Sequence, residues 1–153
     1  MMSDNKELPF WSFPLLLGMI YFIGGMLWFI VSFDAPIPFP AGPDPIGSLV
    51  LVVVSVVFLA GVGPLRRKDR QGFAYIAVGM FLAGVLFALQ LFIIATNFLG
   101  WILGFEDWLV WTLLSDVTPT VWLFLLALFI FGIARAIEGD GERGFTKHLL
   151  GDT

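Results

Sequence analysis

A stretch of 35 residues, Gln71 to Phe105, contains no charged side chain, and neither does a second of 26 residues, Leu8 to Phe33. A hydrocarbon core about 30 Å thick takes roughly 20 apolar residues per helix. In lipid every backbone N–H and C=O must be paired inside the protein, which leaves helices or closed barrels. No segment alternates apolar and polar residues as barrel strands do, so even the β-branched run Val52, Val53, Val54, Val56, Val57 reads as helix. With 59% hydrophobic and 13% charged residues, where soluble domains carry about a quarter charged, the chain reads as an integral membrane protein. The expected fold is all-α, a four-helix transmembrane bundle with a short amphipathic interfacial helix between spans 3 and 4. It forms a single domain over residues 1–153, with spans at about 10–33, 46–65, 72–99 and 118–137.

The charges give the orientation. Arg66, Arg67, Lys68, Asp69 and Arg70 stand between two apolar runs and hold four of the eight basic residues; the others are Lys6, Arg135, Arg143 and Lys147. Four crossings put all eight on one side. The opposite loops, 34–45 and 100–117, carry Asp34, Asp44, Glu106, Asp107 and Asp116 and no base. Cationic loops stay cytoplasmic, so both termini, the loop 66–71 and the tail 138–153 are expected inside, with Arg66, Arg67, Lys68 and Arg70 as topology determinants. Attraction of these cations to anionic lipid, on the order of 1 kcal/mol each, is secondary. The first apolar run is too long for a signal-peptide core and is followed by Pro36, Pro38 and Pro40 rather than a cleavage site, so it reads as an uncleaved span. The lack of transit-peptide character favours a prokaryotic cytoplasmic membrane.

Within the spans, Trp11 and Trp28 read as interfacial anchors and Tyr21 as a mid-span hydroxyl in need of a partner. Gly18, Gly24 and Gly25 permit close helix approach. The first outer loop is stiffened by Pro36, Pro38, Pro40, Pro43 and Pro45. Ser48 and Ser55 share a face of span 2, while Gly61, Gly63 and Pro64 loosen its cytoplasmic end. Span 3 is expected to end near Leu99, before Gly100, and to be the packing centre. Gly79, Ala83, Gln90 and Asn97 line one of its faces, and Ala77, Gly84, Ala88 and Ala95 form a second stripe of small residues. The near-helical recurrence of Trp101, Phe105, Trp108 and Trp111 suggests the interfacial helix. Asp116 or Thr118 can cap span 4, Pro119 fits its first turn, and Arg135 snorkels at its end.

Chemistry is poorly provided for. There is no cysteine, the single histidine, His148, lies in the tail, and Arg135 is the one ionisable residue assigned to a span. Intramembrane ionisable groups mark proton and ion pathways, and a serine nucleophile needs a base within reach. No catalytic residue, metal ligand set or cofactor site is therefore assigned, and neither enzyme activity nor a nucleic-acid partner is expected. The outer acids read as solvated loop residues rather than a cation site. Gln90 and Asn97 read as helix-bridging amides, each bond contributing about 0.6–2 kcal/mol in membranes, ahead of a small-molecule face. The expected function is a non-catalytic accessory or assembly subunit of a larger membrane complex, with bioenergetic assemblies in view. Its partners are membrane lipids and other membrane subunits or copies of itself. The alternatives are a small self-associating channel or carrier for an uncharged or anionic solute, and a quinone- or lipid-binding module.

Overall fold

The computed structural model describes residues 11–33 and 42–133. Among them are four helices: α1 Ser12–Val31, α2 Pro45–Arg66, α3 Gln71–Ile102 and α4 Pro119–Ile133. The fold is all-helical, as the charge-free runs require, and α1, α2 and α3 are each long and apolar enough to cross a membrane. The proline loop from Asp34 to Ala41, Arg135 with the end of span 4, and both terminal tails lie outside the described residues.

The helices pack in sequence: α1 on α2, α2 on α3, and α4 against both α3 and α1. Phe124 of α4 meets Phe87 of α3 with ring centroids 4.9 Å apart, and Leu123 faces Gly24 of α1. The centre is built mainly from α1, α2 and α4, through Leu17, Tyr21, Trp28, Leu51, Val54, Phe58, Leu123 and Ala127. This corrects the expectation that span 3 is the packing centre. Its most apolar stretch is 17% buried, against 39% for α1 and 33% for α2. The reason lies in the glycines of α1. A Cβ on Gly25 would stand 3.1 Å from both Ser48 O and Val52 N, so the α1 and α2 backbones nearly touch there. In lipid, where no hydrophobic force draws helices together, such approach holds a helix pair; Gly72 brings α3 as near to α2 at Leu65 N, but only beside the basic loop, and the rest of α3 stays largely exposed.

Two further expectations change. Trp28 is not an interfacial anchor; it is 1% exposed and its indole N–H donates to Gly42 O at 2.9 Å. Gly61 does not loosen α2, which continues through Pro64 to Arg66; it is buried where Tyr75 and the Gly72 carbonyl approach. Asp44 caps α2, its carboxylate accepting from Gly47 N at 2.8 Å, with Pro45 in the first turn. Ser32 ties the two helices together: its hydroxyl donates to Trp28 O and accepts from Asp44 N.

The helices differ in height. Gly72 packs on Leu65, Tyr75 on Gly61 and Gly79 on Phe58. Continued along both helices, this antiparallel register brings Pro45 level with Phe92. At 1.5 Å per residue, α2 with 22 residues is about 33 Å long and α3 with 32 is about 48 Å. The bottoms of both helices meet at the basic loop, so the surplus, about ten residues or 15 Å, stands at the acidic end.

Candidate functional site

At that acidic end the chain builds its main polar cluster. α3 runs past Gly100 and stops at Gly104, where φ is +69°. Gly104 N donates to Trp101 O and Phe105 N to Gly100 O, the paired bonds of a Schellman motif with glycine in the left-handed position. The expected stop before Gly100 misreads that glycine's role. Its bare face seats the Trp108 indole, 2.9 Å from where a Cβ would be.

Beyond Gly104 the segment returns along α3 towards α4. It contains two single 3-10 turns, Glu106–Trp108 and Leu113–Asp116, joined by a turn at Leu109 and an extended Thr112. The amphipathic character expected of this segment is thus carried by a folded-back strap with only these two helical turns. Four hydrogen bonds clasp it. Asp116 Oδ2 accepts from Asn97 Nδ2 and from Trp111 Nε1, both at 2.7 Å. The Trp108 indole donates to Asn97 Oδ1 at 3.0 Å, and Gln90 Nε2 donates to the Asp116 carbonyl at 2.8 Å. Gln90 lies two turns below Asn97 on the same face, and both reach Asp116, so the strap ends between the levels of the two amides just before α4 begins.

The four residues of the candidate face therefore separate. Gly79 sits against the Phe58 ring and Ala83 is 2% exposed, inside the seam of the bundle. Gln90 and Asn97 bond to the strap rather than to another long helix. Asp116, expected as a helix cap or solvated acid, is instead the common acceptor for Gln90, Asn97 and Trp111. The signal available was a carboxylate preceded in sequence by indole and amide donors, Trp111 and Asn97, at an end of the molecule that holds no base to pair with it. The strap also frames a shallow apolar cleft of about 290 Å³ lined by Phe98, Trp101, Trp111 and Leu113. Among the described residues no group of three or more His, Asp or Glu is placed to hold a metal ion.

Residues 4–136 match the family described as the MJ0565 integral membrane domain. The chain belongs to that family. This member of the MJ0565 integral membrane domain family is 26% identical over 135 residues to the protein of Methanocaldococcus jannaschii named "Uncharacterized protein MJ0565", covering 84% of this chain and 91% of the relative. No solved structure matches the chain. All five residues of the clasp fall inside the span shared with the family.

Two other features of this MJ0565-family chain bear on function. At the basic end, the Arg66 guanidinium lies 4.8 Å from the centre of the Trp11 ring, which holds that cation at the level of an aromatic residue suited to the headgroups. Arg67, Lys68 and Arg70 are exposed, or nearly so, in the turn that follows, with Lys68 at φ 59°. In the interior, the Tyr21 hydroxyl and Ser55 Oγ are buried and have no hydrogen-bond partner among the described residues. Tyr21 packs against Phe58 at 5.6 Å between ring centroids, so its ring is well accommodated while its oxygen is not. A buried hydroxyl without a partner costs about 1–3 kcal/mol. Tyr21→Phe is therefore expected to stabilise the detergent-solubilised protein by about 1 kcal/mol, read as a higher melting temperature. A lower one would mean that the hydroxyl is satisfied.

Proposed function

We propose that this chain is a non-catalytic accessory or assembly subunit of a larger membrane complex, with bioenergetic assemblies as the first class to search. In this reading it resides in a prokaryotic cytoplasmic membrane with its basic end and both termini in the cytoplasm. The observation that carries the reading is the second stripe of α3. Ala77, Ala88 and Ala95 face away from the bundle and are exposed, and Gly84 is covered in part by Phe124. Small residues on a membrane helix allow another helix backbone to approach closely, whereas a surface meant for lipid alone gains nothing from them. The two amides of the candidate solute face hold the strap instead, which ranks the channel reading second.

The test is extraction from the host membrane in mild detergent followed by native mass spectrometry. A particle well above 17.0 kDa that contains another polypeptide is expected. Ala88→Leu and Ala95→Leu should each reduce its recovery at least tenfold while leaving the melting temperature unchanged, because neither side chain touches the core. A particle made only of this chain overturns the subunit reading, and solute flux in reconstituted vesicles then becomes the next measurement.

A further inference from the structure

The heights of the helices place apolar surface where no lipid tail can cover it. The charged loop 66–70 marks one face of the bilayer, and α2, about 33 Å long, spans the hydrocarbon core from there. The last ten residues of α3 and the tip of the strap then stand beyond that core, while the strap's end at Asp116 comes back to the level of Gln90 and Asn97. Headgroups account for only about 5–7 Å on each side, and the projection is about 15 Å high. Tilt does not absorb the excess. Fitting all of α3 into the core would take an inclination of roughly 50°, beyond the usual range for membrane helices, and α2 packed along it would then be too short to cross.

What projects is not polar. Val110 is 89% exposed and Leu103 66%, with Leu99, Ile102 and Leu109 also bare. Contiguous apolar surface in water marks an interaction site. Its charges are of one sign: Glu106 and Asp107 are exposed at the tip, and no Lys or Arg occurs between Arg70 and Arg135 or in residues 34–45. A second copy related by two-fold symmetry in the same membrane would set acid against acid with no cation from either chain, a juxtaposition that disfavours pairing.

We infer that the strap and the outer end of α3 form a docking surface for a different membrane protein, one that presents an apolar segment flanked by Lys or Arg above the bilayer core on the same side. This rests on the subunit reading and specifies where the partner binds and what it must carry. The clasp around Asp116 then has a purpose, since it holds the surface in one shape before the partner arrives.

The experiment places a photo-crosslinking p-benzoylphenylalanine at Val110 or, separately, at Val56, which is 57% exposed at mid-height on α2, in the intact host membrane. At Val110 a discrete adduct with one other protein is expected, with the crosslinked peptide containing Lys or Arg; at Val56 only lipid adducts are expected. Reversing the tip charge with Glu106→Lys and Asp107→Lys together should cut the Val110 yield at least fivefold, and Glu106→Gln with Asp107→Asn should give an intermediate yield. These side chains are exposed and outside the clasp, and an unchanged melting temperature verifies the fold. The inference is overturned by an adduct between two copies of this chain, by lipid adducts alone at Val110, or by a yield indifferent to charge reversal. If native mass spectrometry still finds a foreign subunit in those cases, the subunit reading survives and only its docking surface is wrong.

Discussion

Gly25→Val is expected to disrupt the bundle. A branched side chain there meets Val52 Cγ2 at 3.0 Å and, more seriously, the Ser48 carbonyl and Val52 amide at 3.1 Å. Side chains can rotate away; backbone within a hydrogen-bonded helix cannot. Overpacking of this kind usually costs 1–3 kcal/mol, and contact with main chain places Gly25→Val at about 3 kcal/mol or more. Gly25→Ala should lose about half as much. Gly63 provides the control, because nothing lies within 4 Å of a Cβ built there. Gly63→Ala should be neutral or slightly stabilising through helix propensity, by up to about 1 kcal/mol. Thermal melts of the three variants in one detergent test the series, and a melt unchanged in Gly25→Val would refute the close approach of α1 and α2.

Asp116→Ala should release the strap. The carboxylate accepts two short bonds, from Asn97 and Trp111, and bonds to a charged acceptor contribute about 1.5–3 kcal/mol each. Half-burial reduces the sum to about 3 kcal/mol of local stability. Each 1.4 kcal/mol is a factor of ten, so amide exchange over residues 105–118 should quicken roughly hundredfold, with red-shifted tryptophan emission as Trp108 and Trp111 become wet. The bond from Gln90 to the main-chain carbonyl survives the substitution, so α4 should keep its position while the tip frays. Asp116→Asn retains one acceptor oxygen and is expected to lose about half as much protection. Exchange as slow as in the parent protein would show that the clasp contributes nothing.

Much of the fold was legible because the bilayer imposes it. Charge-free runs longer than 20 residues admit few alternatives to helices, and the prolines and charges show where they begin. Pro119 does open α4, and Arg66 does close α2. Packing order was less legible. Small residues lie on α1 and α3 alike, and nothing in a single helix's pattern tells which stripe meets backbone from its own chain. Gly25 meets α2, whereas Ala88 faces outward. Gly100 deceived for a related reason: glycine both ends helices and seats bulky rings, and the choice depends on Trp108, eight residues further on. At the candidate site, the heptad spacing of Gln90 and Asn97 puts them on one face, and both bond to Asp116. Their acceptor was hidden because Asp116 is distant in sequence and comes into reach only when the strap folds back.

The tie between Ser32, Asp44 and Trp28 bears on the order of assembly. Its donors and acceptors, the bare edge of Gly25 and the Val52 backbone it rests on are all encoded before Arg66. Once that arginine has left the ribosome, every group needed to staple the first two crossings into a hairpin is already in the membrane. The long third helix can then enter alongside a finished template.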